Sequence, residues 1–129
     1  MTNKIVIRYA DGTVKKGTTE DFSPSKNVFH IKDIYDGKYQ EIIIRDLKAV
    51  FFVKDFDGDP KYQEKDDIER VGLGRKIKVH FKDGETIVGY TQGFSQERAG
   101  FILFPSDPDS NNDKSFVVTS ATDKVYFVL

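Results

Sequence analysis

The chain is built twice from one pattern. Lys4-Ile-Val-Ile-Arg-Tyr-Ala-Asp-Gly12 returns 72 positions later as Lys76-Ile-Lys-Val-His-Phe-Lys-Asp-Gly84, and Gly17, Phe22, Ser23 and Phe29 return as Gly89, Phe94, Ser95 and Phe101. Each copy closes on an apolar run, Val50-Phe-Phe-Val53 and Val125-Tyr-Phe-Val128. Within 129 residues such a duplication leaves room for two very small units that share a core. With 38% hydrophobic and 13% aromatic residues, the composition is that of a folded protein.

In both copies apolar residues alternate with polar ones up to the Asp-Gly pair: Ile5, Ile7, Tyr9 and Ile77, Val79, Phe81. That is a half-buried strand, and Asp-Gly predicts a type I′ hairpin turn after it. The return strand, Thr13 to Phe22 or Glu85 to Phe94, carries Gly17 or Gly89 in its middle, which predicts a sharp bend. A third strand holds Phe29 and Ile31, or Phe101 and Leu103. A fourth runs over Glu41 to Arg45, matched to Ser115 to Thr119, and a short turn suited to one 3₁₀ turn leads into the closing apolar strand. Five short strands in about 50 residues predict an all-β protein of two tandem five-stranded small barrels of SH3-like or Sm-like type, packed as a pseudo-symmetric pair. The units are expected at 1–54 and 76–129. The acidic linker 55–75 is either extended or forms one short helix from Asp59-Pro60 toward Gly72. Pro105 to Asp113 reads as an exposed, mobile hairpin loop.

Much chemistry is missing from the sequence. There is no cysteine, hence no thiol, disulfide or Cys-ligated metal. Neither a signal-peptide pattern nor a long apolar stretch is visible, so a cytoplasmic location is expected. Net charge is −1, made up of +3 over 4–54, −3 over 55–75 and −1 over 76–129, which gives no basic patch for nucleic acid. The two histidines, His30 and His80, fall on strands opposite the apolar face and read as partly exposed surface residues. Gly72-Leu-Gly74-Arg-Lys precedes a strand, where a phosphate loop would lead into a helix. Asp55-Phe-Asp57-Gly-Asp59 opens like a calcium loop, but its sixth position is Pro60 and its twelfth Asp66; Asp107-x-Asp109-x-Asn111 fails at Val118. The expectation is no catalytic residue, no cofactor and no metal.

The closing runs are apolar on both strand faces, and a lone small barrel buries only one. Phe51, Val53, Tyr126 and Val128 are therefore interface candidates, met by the sister barrel in a monomer or by another subunit in a homodimer.

The order of alternating strand, Asp-Gly, glycine-bent strand and closing apolar strand resembles the Sm-like fold in two copies. The strings Gly-Thr-Thr-Glu-Asp-Phe-Ser-Pro (17–24), Leu-Lys-Ala-Val-Phe-Phe-Val (47–53) and Gly-Arg-Lys-Ile-Lys-Val-His-Phe-Lys-Asp-Gly-Glu (74–85) resemble those of a poorly characterised bacterial family of unknown function. Asp21-Phe22-Ser23 is similar to the Asp-x-Ser of PilZ domains, which bind cyclic di-GMP, although no Arg-x-x-x-Arg precedes it and Arg70 and Arg75 stand five apart. That likeness makes Asp21, Ser23, Arg70 and Arg75 ligand candidates. The function expected is a non-catalytic binding or adaptor module for an unidentified protein partner, with RNA or nucleotide binding as the alternative and no membrane role.

Overall fold

The computed structural model describes residues 3–129. Ten strands follow in order: β1 Asn3–Tyr9, β2 Val14–Thr19, β3 Val28–Asp33, β4 Tyr39–Ile43, β5 Leu47–Val53, β6 Arg75–Phe81, β7 Thr86–Thr91, β8 Gly100–Pro105, β9 Asn112–Val118 and β10 Thr122–Phe127. Single 3₁₀ turns, Ile44–Asp46 and Thr119–Ala121, lead into the closing strand of each half. All pairings are antiparallel, in one open sheet of order β10-β6-β7-β8-β9-β5-β1-β2-β3-β4. The protein is all-β, and no pairing among the described residues closes either half into a barrel.

The junction differs from the expected packing of one closing strand on the other. β5, the closing strand of the first half, pairs with β9, the fourth strand of the second, through Ala49↔Val117, Val50↔Phe116 and Phe51↔Ser115. The halves are thus joined head to tail, which leaves β10 and β4 as the open edges. The two 3₁₀ turns begin at Ile44 and Thr119, so equivalent residues beyond the third strand stand 75 apart. Glu41 therefore matches Phe116, and not Ser115 as the sequence comparison gives; cross-strand pairs His30↔Glu41 and Ile102↔Phe116 fix the same register.

Side chains alternate across each strand, so β9 serves two cores. Phe116 and Val118 enter the first, with Ile5, Ile7, Phe29, Ile31, Val50 and Phe52; Val117 enters the second, with Ile77, Val79, Phe81, Phe101 and Leu103. The second half thereby completes the core of the first. Behind β5, Ala49, Phe51 and Val53 pack with Val6 under Phe56 of the linker.

Local details also depart from expectation. The Asp-Gly turns are three-residue connections: Tyr9 N–H bonds Thr13 O at 2.8 Å, Gly12 N–H bonds Tyr9 O, and only the glycine has a positive φ, +94° at Gly12 and +96° at Gly84. That is a type I turn followed by a left-handed residue, not a type I′ turn. Gly17 and Gly89 have no positive φ. Their need for glycine is steric, because a Cβ there would lie 2.4 Å from Lys32 O or 2.2 Å from Phe104 O on the next strand. Residues 54–74 contain no helix. Asp59 caps a single turn ending at Tyr62, and Val71 is solvent-facing, so the segment lacks the apolar stripe that holds a short helix.

The loop after β8 is pinned where mobility was expected. Ser106, Asp107 and Ser110 are buried, and the Asp107 carboxylate accepts Tyr62 O–H, Lys65 N–H at 3.0 Å and Asp109 N–H at 2.9 Å. The Tyr62 hydrogen bond, against a smaller desolvation effect, holds Asp107 below the usual carboxylate range and pushes Tyr62 up to about 12.

Candidate functional site

Two features stand out, the open edge at β10 and a cleft at the junction. At the edge, the second half has the same aromatic arrangement as the first with one member absent. In the first half Phe22 packs edge-to-face on Phe29, Phe52 and Phe116 at centroid distances of 5.2, 5.2 and 5.3 Å. Its counterpart Phe94 meets Phe101 at 4.8 Å and Phe127 at 6.3 Å, and among the described residues no third ring stands where Phe116 does. Val50 and Phe52 are 0% and 6% exposed beside β9, whereas Val125 and Phe127 are only partly buried. The Arg75 guanidinium lies 3.9 Å over the Phe127 ring and covers part of it.

Backbone direction completes this edge. Val128 N–H bonds Lys76 O on the β6 side, so strand alternation turns the N–H groups of Val125 and Phe127 outward, where no described strand pairs with them. On the other face of β10, Tyr126 and Val128 are 38% and 39% exposed, and Tyr126 stacks on His80 at 5.7 Å. Thus two of the interface candidates, Phe51 and Val53, are buried inside the chain, and the other two, Tyr126 and Val128, lie at the open edge.

The opposite edge is polar. β4 carries Glu41 where β9 has Phe116, and His30 of β3 stands where β8 has Ile102. Asp21 accepts His30 N–H at 2.9 Å and the ring Nδ1 at 2.7 Å. Desolvation raises the Asp21 carboxyl, but these bonds and one from Thr19 outweigh it and leave it below its ordinary value. This pair and Tyr39 line a shallow groove of about 390 Å³.

The junction cleft, about 720 Å³, lies between the β2–β3 loop (Pro24, Ser25, Asn27) and the β7–β8 loop (Gln92, Arg98, Ala99). Asn27 and Ala99 also line a hollow of about 400 Å³ containing Arg45, and Arg45 lines a third, of about 330 Å³, with Lys48, Lys82 and Asp83. Lys48 is buried, holds Asp83 at 2.7 Å, bonds Glu85 and lies over the Phe81 ring at 4.6 Å. Among the described residues no carboxylate is within ion-pair distance of Arg45, Lys82 or Arg98. Sequence reading missed this line of cations, because it joins loops from both halves and no local charge run announces it.

The four ligand candidates are not brought together by any contact. Ser23 bonds Ser25, Arg70 donates to Pro105 O at 3.0 Å, and Arg75 covers Phe127. Among the described residues there is no group of three or more His, Cys, Asp or Glu suited to a metal. In the two Asp-rich segments the Asn111 side-chain amide accepts Asp55 N–H at 3.1 Å and donates to Asp55 O at 2.8 Å, and the Lys54 ammonium donates to the carbonyls of Pro108 and Ser110. No described helix is long and apolar enough to cross a membrane.

A family model matches residues 1–128 of the chain. The chain belongs to DUF6982, a family of unknown function. No curated protein and no solved structure matches this DUF6982 chain.

Proposed function

We propose that the protein is a non-catalytic binding module that captures an extended protein segment by adding it to the open edge of β10. The observation that carries this reading is the difference between sealed Val50 and Phe52 and half-open Val125 and Phe127, residues at equivalent positions. A strand laid on β10 would satisfy outward N–H groups and cover apolar surface at once, which is how strand addition gains both affinity and register. The order β5-β1-β2-β3-β4, repeated as β10-β6-β7-β8-β9 around a separate core, supports reading each half as an SH3-like or Sm-like small barrel left open on one side.

The test is purification of the chain with its partner from native cells, followed by amide hydrogen exchange of the complex. Protection of Val125 to Leu129 is expected. Unchanged exchange there sinks the reading. A second reading, RNA or nucleotide binding in the junction cleft, is favoured by Arg45, Lys82 and Arg98, because cations without carboxylate partners suit phosphates. Co-purified RNA or nucleotide, with protection at 25–27 and 98–100, would select it.

A further inference from the structure

We infer that the segment captured at β10 comes from another protein and carries an aromatic residue followed two places later by a β-branched one, the pattern of Phe116 and Val118. This rests on the strand-addition reading and specifies the partner. The chain contains its own template for the complex, since β5 and β10 are equivalent strands and β9 is the natural occupant of β5.

Transposing that junction by 75 residues sets the complex in register. In the chain Phe116 lies opposite Val50 and Lys114 opposite Phe52, so the partner's aromatic residue would lie opposite Val125, with a residue two places earlier opposite Phe127. The aromatic ring would then fill the one position that Phe94 lacks and Phe22 possesses. Two places on, a β-branched side chain would repeat Val118, which is 1% exposed in the first core. Residues between these point to the other face, beside Lys124 and Tyr126, where polar side chains are tolerated.

A second copy of the chain is the obvious competitor, because β4 is the other open edge and the structural counterpart of β9. Its side chains argue against it. Glu41 replaces Phe116 and His30 replaces Ile102, so self-docking would press a carboxylate and an imidazole onto Phe94, Val125 and Phe127. Burying a charge on apolar surface is costly without a matched partner, and Arg75 is already engaged over the Phe127 ring. Tyr39, 76% exposed at the outer end of β4, adds area without removing that charge. The exchange of Phe for Glu at this position works as specificity by repulsion, and it stops the head-to-tail junction from repeating between molecules.

The experiment uses the full chain, isotopically labelled, and a synthetic peptide of its own residues 111–119 as the probe. Titration should shift the amides of Val125 and Phe127 and slow their exchange. A peptide with Phe116→Glu should bind about tenfold or more weakly, and a peptide of residues 38–46 no better than that variant. Equal binding of the Phe116→Glu peptide overturns the inference, as does preference for the 38–46 peptide. So does a response confined to β5, which would mean that the probe displaces β9, or concentration-dependent protection of β10 in the chain alone. If the native partner protects β10 while the probe fails, strand addition stands and the aromatic pattern falls. If neither touches β10, both fall.

Discussion

β5 and β10 are the same strand written twice, Val50-Phe-Phe-Val53 and Val125-Tyr-Phe-Val128, yet only the first is sealed. The strand's own sequence does not decide its burial; the neighbour does. β5 has β1 on one side, β9 on the other and Phe56 behind it, while β10 has β6 alone among the described strands. The sharpest way to break this comparison is to truncate equivalent aromatics. Phe52→Ala removes a buried ring packed on Phe22 and is expected to cost about 3–5 kcal/mol. Phe127→Ala, whose ring is partly open, should cost about half as much or less. Urea unfolding of the two variants decides it, and equal losses would mean that β10 is as well covered as β5.

What the halves share should respond equally in both. Gly17→Ala and Gly89→Ala each drive a Cβ into a backbone carbonyl of the adjacent strand, which cannot rotate away. Each is expected to lose about 2–3 kcal/mol. Gly12→Ala, at φ +94° with open space around it, should lose about 1 kcal/mol. If the turn glycine proves the costlier, close strand approach is not what selects Gly17 and Gly89.

The contrast also explains what could be read from the sequence. Strand count, the position of the Asp-Gly turns and the core residues Ile5, Ile7, Ile77 and Val79 were legible, because period-two alternation and turn chemistry are local. The partner of β5 was not, since antiparallel pairing with β9 across about 60 residues leaves no periodic trace. Register failed at the fourth strand for a related reason. The loops before it differ in length, and Glu41-Ile-Ile against Ser115-Phe-Val looks as good by residue type as the true match one place along. The Asp107 anchor was hidden too, because a run of Pro, Ser, Asp and Asn signals a turn whether or not a tyrosine from 45 residues upstream ties it down. The open edge was half visible: the apolar faces of Tyr126 and Val128 were evident, but not that they would be the uncovered pair.

Lys48 offers a smaller asymmetry of the same kind. It reaches across the junction to Asp83 and Glu85, whereas its counterpart on the open strand is Asp123. Lys48→Met keeps the stem over Phe81 and removes the charge. Because both carboxylates are 50% exposed and retain water, the expected loss is about 1–2 kcal/mol rather than that of a fully buried pair. Asp123→Met should stay within about 0.5 kcal/mol. Comparable losses at both positions would show that Lys48 contributes packing and no ionic link between the halves.

The finest test compares the two turn aspartates. Asp11 and Asp83 both accept the N–H two residues on, but Asp83 also holds Lys48. Asp11 is lowered chiefly by the Thr13 N–H, and Asp83 first by the Lys48 ammonium and then by the Glu85 N–H. Each carboxyl is therefore more acidic in the folded chain than in the unfolded one, near 3.8. Such a group stabilises the fold fully above the unfolded value, and the contribution disappears as pH falls through the folded one. Carboxyl titration by NMR should place Asp83 below Asp11. Lys48→Met should bring Asp83 up toward Asp11 and leave Asp11 where it was, and the acid limb of the stability curve should flatten more in Asp83→Asn than in Asp11→Asn. An Asp83 that titrates with Asp11 in the intact chain would mean that the turn geometry, common to both halves, sets its acidity and that the junction adds nothing.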